Sequence, residues 1–220
     1  TFSYLPPTIH SVYPLISSTK GGGIITLKGI SFGLTGATVD LLGDGLVPDS
    51  PLSTTIGPIA VDFQNHTTVM FTVPEGHGTH RSVRLNVGGQ TYLYAARKFQ
   101  YKPPIFGQIE QPASCTTRVR TTACGSPTQG HFLVIMHGTN LGTMATSGAT
   151  VTIGKQQCCL ADKSITGIDD CATFGSAKSI SCSCCVVSHN HKTIRITAPP
   201  GVGANVPVVL NYGDGYRGWV

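Results

Sequence analysis

The chain has 220 residues, a formal net charge of +5 and 11% charged residues, against roughly 25% in an average soluble protein. Its 40% hydrophobic content can supply the cores of two domains, or of one large β domain. The Lys and Arg residues are scattered, which argues against nucleic-acid binding, and no apolar run approaches the ~20 residues of a membrane-spanning helix.

Short runs of β-branched and apolar residues occur along the whole chain, and Gly, Pro, Asn or Asp bounds nearly all of them. No segment has a sustained helical period. Such punctuated runs predict strands, and many short strands favour a sandwich or a barrel over an α/β enzyme. The predicted strands are Ile24–Leu27, Val69–Val73, Val83–Val87, Phe132–Met136, Val151–Ile153, Thr193–Thr197 and Val206–Leu210.

An N-glycosylation sequon, Asn65-His66-Thr67, lies just before the predicted strand Val69–Val73. A loop at that position would be exposed, so we expect Asn65 to carry a glycan. Covalent sugar would also explain how a surface with so few charges, covered largely by Thr, Ser and Gly, stays in solution. A low-charge β protein without sugar is the alternative interpretation.

The two halves of the chain repeat each other. Thr68–Gly78 matches Thr193–Gly203 at an offset of 125 residues, and Gly29–Gly33 matches Gly138–Gly142 at an offset of 109. Because the offset grows along the chain, the second copy must contain insertions. They are expected at residues 112–129 and in a long stretch around 155–190.

The first copy resembles the IPT/TIG domain, the immunoglobulin-like fold of plexins and transcription factors. The resemblance rests on Pro6–Pro14, on the double glycine and FG pair of Gly22–Gly33, and on the VP.G.G pattern of Val73–Gly78. The second copy is a looser match, through Pro103–Ile105 and Gly138–Gly142. Such domains serve receptors, adhesion proteins, carbohydrate-active enzymes and transcription factors, so the resemblance alone does not specify a function.

The resemblance implies an all-β fold of two tandem immunoglobulin-like β-sandwiches. The first IPT/TIG domain is expected to span residues 6–102, and the second, rich in cysteine and with long insertions, residues 103–220. The Pro-Pro pairs at the start of each copy would make stiff, extended junctions.

The cysteines all lie in the second copy. An even number crowded into one region predicts disulfides, and hence an extracellular or cell-surface protein. A zinc site is the alternative because Cys182 and Cys185 form a C-x-x-C motif, but a second such pair or a His pair at zinc spacing is missing. The pairing stays open. The eight residues are Cys115, Cys124, Cys158, Cys159, Cys171, Cys182, Cys184 and Cys185.

No catalytic constellation is present, so we expect no enzyme activity, no cofactor and no metal. His77 and His80 flank a Gly-rich turn, and His189 and His191 belong to another loop. They could bind a metal or titrate near pH 6.5, but solvated loop histidines are the simpler expectation.

The two ends of the chain are related to its middle. The last predicted strand of the first copy ends in Phe99-Gln100-Tyr101 before Pro103-Pro104, and Phe2-Ser3-Tyr4 precedes Pro6-Pro7 in the same way. The second copy reaches Trp219-Val220 without such a segment. Joining the end to the beginning reproduces the closing strand with a gap of about two residues.

We therefore expect residues 1–5 to form a strand that completes the second domain of a neighbouring unit. Phe2 and Tyr4 would be its apolar side chains. The acceptor is predicted to include Leu210, Tyr212 and Trp219. Strand addition would cover a sheet edge that is otherwise prone to aggregate.

This arrangement predicts a structural subunit of an extracellular fibre or surface appendage, made of separate subunits or of one period of a longer chain. Its partners would be other copies of itself and covalent glycans. One alternative is a fragment of a receptor or adhesion ectodomain that binds a protein or glycan through its loops. Another is a non-catalytic module of a carbohydrate-active enzyme.

Overall fold

A computed structural model of the chain describes residues 2–43, 55–110, 128, 130, 132–143, 150–160, 184–203, 205–211 and 217–219. Within these ranges all regular structure is β, as the sequence predicts. The described residues divide into two compact units, the first ending at Lys102 and the second beginning at Pro103. Among them there is no helix with the length and apolar character that a membrane crossing requires.

The first unit is a sandwich of two sheets. One sheet has the strand order β1-β3-β7-β6 and the other the order β2-β9-β8-β4-β5. All neighbours are antiparallel except β2 and β9, which run parallel. The strands are β1 (Thr8–Tyr13), β2 (Ile16–Ser17), β3 (Ile24–Ile30), β4 (Thr38–Leu42), β5 (Ile56–Ala60), β6 (Phe63–Asn65), β7 (Thr68–Thr72), β8 (Arg81–Val87) and β9 (Gln90–Tyr101).

The core of the first unit lies between its two sheets. In central strands such as β3, alternate residues are buried because successive side chains of a strand point to opposite faces. Ile25 and Leu27 come from one sheet, and Val83 and Leu85 from the other. Burial of each such side chain contributes about 1.5–3 kcal/mol relative to exposure.

The strands of the second unit follow the order of the first unit except that β2 has no described counterpart, and they form one continuous sheet of order β10-β11-β15-β14-β13-β12-β16-β17. The parallel pairing of β13 with β14 joins the two layers that are separate sheets in the first unit. The strands are β10 (Ile105–Glu110), β11 (Leu133–Thr139), β12 (Thr150–Ile153), β13 (Gln156–Leu160), β14 (Cys184–Asn190), β15 (Thr193–Thr197), β16 (Val208–Asn211) and β17 (Arg217–Trp219).

A disulfide joins Cys158 of β13 to Cys184 of β14, and both residues are buried. These two residues face each other in the parallel pairing of the strands. Cys159 and Cys185 are the next pair along the same ladder. Four of the predicted disulfide residues lie outside the described part of the chain. They are Cys115, Cys124, Cys171 and Cys182.

The repeat seen in the sequence extends to the backbone. Ser31 and Asn140, at an offset of 109 residues, both adopt the left-handed conformation, with φ of 61° and 56°. The first strand of each unit has a bulge at the same place, after Ile9 in β1 and after Phe106 in β10. The two units are therefore structural repeats of each other, as the sequence offsets indicate.

Each of the seven predicted strands overlaps an observed one. The differences lie at the ends: β8 begins at Arg81, earlier than predicted, whereas β16 begins only at Val208. Val206 and Pro207 are thus outside β16, although their equivalents Arg81 and Ser82 belong to β8.

Candidate assembly site

Strand β9 closes the first unit in two parts. Its first part pairs with β8 in regular register as far as Tyr94, which lies opposite Val83. The next pair along the ladder joins Phe99 to Arg81. The chain therefore advances five residues along β9 but only two along β8, so three residues of β9 form a bulge before the second part begins.

The second part of β9, ending in Phe99-Gln100-Tyr101, seals the end of the sandwich. The rings of Phe99 and Tyr101 are fully buried and meet edge to face, with centroids 5.1 Å apart at 80°. The backbone N–H of Tyr101 donates to the Gly78 carbonyl at 2.9 Å. The segment also pairs with β2, where Gln100 lies opposite Ile16.

The Tyr101 side chain is also fixed by contacts with the rest of the unit. The Tyr101 hydroxyl donates a 3.0 Å hydrogen bond to the Pro74 carbonyl oxygen. Its ring passes so close to Gly76 that a Cβ at that position would lie 2.6 Å from the hydroxyl oxygen. Burial raises the pKa of Tyr101 to about 12, so the hydroxyl stays protonated and remains a donor at physiological pH.

The loop that receives Tyr101 is also built on buried polar groups. The Arg81 guanidinium donates from Nε and Nη2 to the His77 carbonyl, at 3.0 and 2.8 Å. His77 itself is only 3% exposed, so the expectation of a solvated loop histidine is wrong for this residue. Burial, together with the Arg81 charge, lowers the pKa of His77 to about 4.

Of the other loop histidines, His80 is exposed and His189 is partly buried. His80 is exposed and its ring contacts the Thr79 hydroxyl, as expected of a loop histidine. The ring of His189 is partly buried, bonds through Nε2 to the Leu141 carbonyl, and has a pKa lowered mainly by burial. Among the described residues, no group of three His, Cys, Asp or Glu side chains could hold a metal ion.

Strand β17 of the second unit corresponds to the first part of β9. Asn211 pairs with Arg217 and Val209 with Trp219. At the offset of 125 residues, these pairs match Asn86 with Thr91 and Arg84 with Leu93 in the first unit. Arg217–Trp219 therefore occupies the place of Thr91–Leu93, ahead of the bulge and of the aromatic segment.

The register shows where the predicted acceptor residues lie in the second unit. Leu210 is a fully buried core residue that pairs with Gly218, whereas Phe99 lies opposite Arg81, whose equivalent in the second unit is Val206. Of the other two predicted acceptor residues, Trp219 belongs to β17 and Tyr212 lies outside the described residues.

The predicted assembly residues at the start of the chain are exposed. Phe2 is 84% and Tyr4 79% exposed, and residues 2–7 belong to no strand. The two rings meet edge to face with centroids 5.0 Å apart at 85°, nearly the geometry of Phe99 and Tyr101. The Tyr4 carbonyl accepts a hydrogen bond from the Gln90 side chain at 3.0 Å.

The sequon residue Asn65 sits at the turn between β6 and β7. Its Oδ1 accepts hydrogen bonds from the backbone N–H groups of Thr67 and Thr68, at 3.0 and 2.8 Å. Asn190 makes the same turn in the second unit, where it accepts from the backbone of Lys192 and Thr193. Only the first of the two turns has the Thr that a sequon requires.

No curated protein is significantly similar to the chain in sequence. Among solved structures, the plexin A4 extracellular region is similar over 96% of this chain and 17% of its own length, with 12% identity and a TM-score of 0.35. The surface glycan-binding protein PbSGBP-B of Prevotella bryantii is similar over 96% and 40%, with 11% identity and a TM-score of 0.42. Domains 5-6 of the S-layer protein SbsC are similar over 97% and 96%, with 13% identity and a TM-score of 0.23.

The family comparison concerns the first unit. The IPT/TIG domain model matches residues 7–101, which are the strands β1 to β9 and the loops between them. The match ends at Tyr101, the residue that closes the sandwich. Residues 7–101 of the chain therefore belong to the IPT/TIG domain family.

Proposed function

We propose that the chain is a repeating structural unit of an extracellular fibre or surface appendage. In this proposal residues 1–5 of one unit form the last part of the closing strand in the second domain of the neighbouring unit. The observation that carries it is the pair Phe2 and Tyr4, which is exposed but has nearly the ring geometry of the buried pair Phe99 and Tyr101.

The strand register supports this assembly. If Arg217–Trp219 stands for Thr91–Leu93, then Val220 stands for Tyr94, and Phe2 of the neighbour would stand for Phe99. If the neighbour's strand followed β17 in plain register, without a bulge, it would place Phe2 opposite Val206, the equivalent of Arg81.

The stability of such a contact would come from both side chains and backbone. Burial of Phe2 and Tyr4 would contribute roughly 1.5–3 kcal/mol each, and each new ladder hydrogen bond about 1 kcal/mol. The contact joins different surfaces of the two units. A heterologous contact of this kind propagates into a linear fibre when it does not close into a ring.

The disulfide supports an extracellular location. The Cys158–Cys184 bond lies in the buried part of the second unit, and disulfides persist in oxidising compartments. A fibre unit on the outside of a cell would meet this condition, and a glycan at Asn65 would add to its solubility.

One observation favours the second candidate, a receptor or adhesion ectodomain that binds a protein or glycan. The outer face of the four-stranded sheet has a row of paired positions, Tyr13, Thr26, Met70 and Phe63, in which both aromatic side chains are exposed. Exposed apolar side chains in a row can form a docking surface, and aromatic rings suit both proteins and sugars.

Electron microscopy of the native protein, with intact-mass determination, separates the two candidates. A fibre unit should appear as filaments whose density shows residues 1–5 inside a neighbouring second domain. A receptor fragment should remain a single particle with residues 1–5 uncovered, which would contradict the fibre proposal.

A further inference from the structure

The second unit contains the same receiving loop that holds Tyr101 in the first unit. Gly21 packs against the Val73–Pro74 backbone, and Gly130 packs in the same way against the Pro199–Pro200 backbone. The Gly76 N–H donates to the Thr19 carbonyl at 3.0 Å, and the Gly201 N–H to the Thr128 carbonyl at 2.9 Å. The two loops thus have the same anchors.

The two loops differ in what packs against their glycine. A Cβ at Gly76 would meet the Tyr101 hydroxyl and ring within 2.7 Å, whereas no described residue outside the immediate neighbours lies within 4 Å of a Cβ at Gly201. Val202, at the position of His77, is 85% exposed, and Val206, at the position of Arg81, is 42% exposed. The charged and polar groups that line the first loop are replaced by exposed apolar side chains.

From these differences we infer that Pro199, Gly201 and Gly203 form a socket for Tyr4 of a neighbouring unit. The Tyr4 ring would lie on Gly201, as the Tyr101 ring lies on Gly76. The Tyr4 hydroxyl would donate to the Pro199 carbonyl and its backbone N–H to the Gly203 carbonyl. These are the equivalents of the bonds that Tyr101 makes to Pro74 and Gly78.

A socket for an aromatic segment would explain why valines, Val202 and Val206, stand where the first unit has His77 and Arg81. Phe2 would arrive opposite Val206, so an apolar ring would meet an apolar side chain where the first unit has Arg81. Val202 would be covered by the incoming strand. Valines at the positions of His77 and Arg81 suit a site that closes only on assembly. Before the neighbour's strand arrives, the loop then holds no charged side chain that would need a partner.

This inference rests on the proposed function, and one binding experiment tests both. The acceptor is the full chain with Phe2→Asp and Tyr4→Asp, which cannot donate its own strand, and the probe is a fluorescent peptide of residues 1–9. The affinity is measured by anisotropy. Tyr4→Phe in the peptide should weaken binding about fivefold, the effect of one hydrogen bond.

The decisive variant is Gly201→Ala in the acceptor. Gly201 is not in the left-handed region, and its Cβ meets no described side chain, so the free chain should melt at an unchanged temperature. The peptide should nevertheless bind roughly tenfold more weakly or worse, because the added methyl occupies the place of the ring.

The outcomes separate the two ideas. Peptide binding that Gly201→Ala leaves unchanged would overturn the socket but leave strand complementation standing. Failure of the unmodified peptide to bind at all would overturn strand complementation, and the socket with it. Gly22→Ala is not a suitable control because Gly22 has a φ of 81°, whereas Gly107→Ala adds a methyl to a described, non-left-handed glycine of the same unit.

Discussion

The Tyr101 hydroxyl donates a hydrogen bond to the carbonyl oxygen of Pro74 over 3.0 Å, which ties the end of the closing strand to the loop that follows β7. The ring that carries this hydroxyl is fully buried and leaves no room for a side chain at Gly76. The same glycine recurs at position 201 without the tyrosine.

Gly76→Ala should destabilise the first unit by about 1–3 kcal/mol, the usual cost of overpacking a core. The added Cβ would lie 2.6 Å from the Tyr101 hydroxyl oxygen. Hydrogen exchange of the β9 amides, followed by mass spectrometry, measures the change in this unit alone. Gly201→Ala in the second unit is the matched control and should leave the exchange unchanged. Equal destabilisation by both substitutions would contradict the comparison.

Phe2→Asp with Tyr4→Asp should abolish fibre assembly, because two charged side chains would have to enter an apolar site. The first unit should stay folded, since residues 2–5 belong to none of its strands. Sedimentation and electron microscopy would measure fibre length. Tyr13→Asp is the control, because Tyr13 is a similarly exposed aromatic that belongs to strand β1 and not to the segment 1–5. Fibres of normal length from the double variant would refute the assembly proposal.

Asn65 should carry an N-glycan in the native protein, and Asn190 should not. Both residues sit at equivalent hairpin turns, but Thr67 is replaced by Lys192 in the second. Glycopeptide mapping measures the occupancy of each site. Lys192→Thr should create a second occupied site in a secretory expression host. Unmodified Asn65 in material from the native source would contradict this prediction.

Stability of the first unit should fall between pH 6.5 and pH 4. Burial and the Arg81 charge hold the folded-state pKa of His77 near 4, below the unfolded value of 6.5. The unfolded chain therefore binds a proton before the folded chain does, and the folded state loses about 3 kcal/mol across this window. Above pH 6.5 the contribution is fully present.

The His77→Gln variant provides the test of this pH dependence. Chemical unfolding at pH 7 and pH 4.5, followed through the β9 amides, should show a smaller loss of stability for the variant than for the unchanged chain. Titration of the His77 ring by NMR gives the pKa directly. A value near 6.5 would show that the ring is solvated in solution and would remove the basis of the prediction.

Loss of the Cys158–Cys184 bond should destabilise the second unit by about 2–5 kcal/mol. The bond joins β13 to β14, the pair that connects the two layers of the unit. Double substitution to alanine, compared with the unchanged chain by thermal unfolding without and with reductant, measures the effect. Alkylation should find no free thiol at either residue before reduction. Eight reactive thiols in the native protein would contradict the prediction.

The periodicity and punctuation of the sequence were sufficient to predict the repeat and seven of the strands, but not edge strands such as β5 and β6. Alternation in segments such as Val83–Val87 reflects the local geometry of a strand with one buried face, so it can be recognised without knowledge of the partner strand. The matching glycines Gly29 and Gly138 were also visible in the sequence, although their reason is a contact between strands: a Cβ there would collide with the carbonyl of Thr8 or Ile105 on the neighbouring strand.

The register across strands was decided only by the tertiary structure. Sequence comparison gave Leu210, Tyr212 and Trp219 as the predicted acceptor and carried no sign of the bulge in β9, which places Phe99 opposite Arg81, the equivalent of Val206. Whether His77 is buried likewise depends on how the loop folds back under Arg81. Contacts between residues distant in the chain depend on the summed packing of both sheets, and no local pattern of residues encodes that sum.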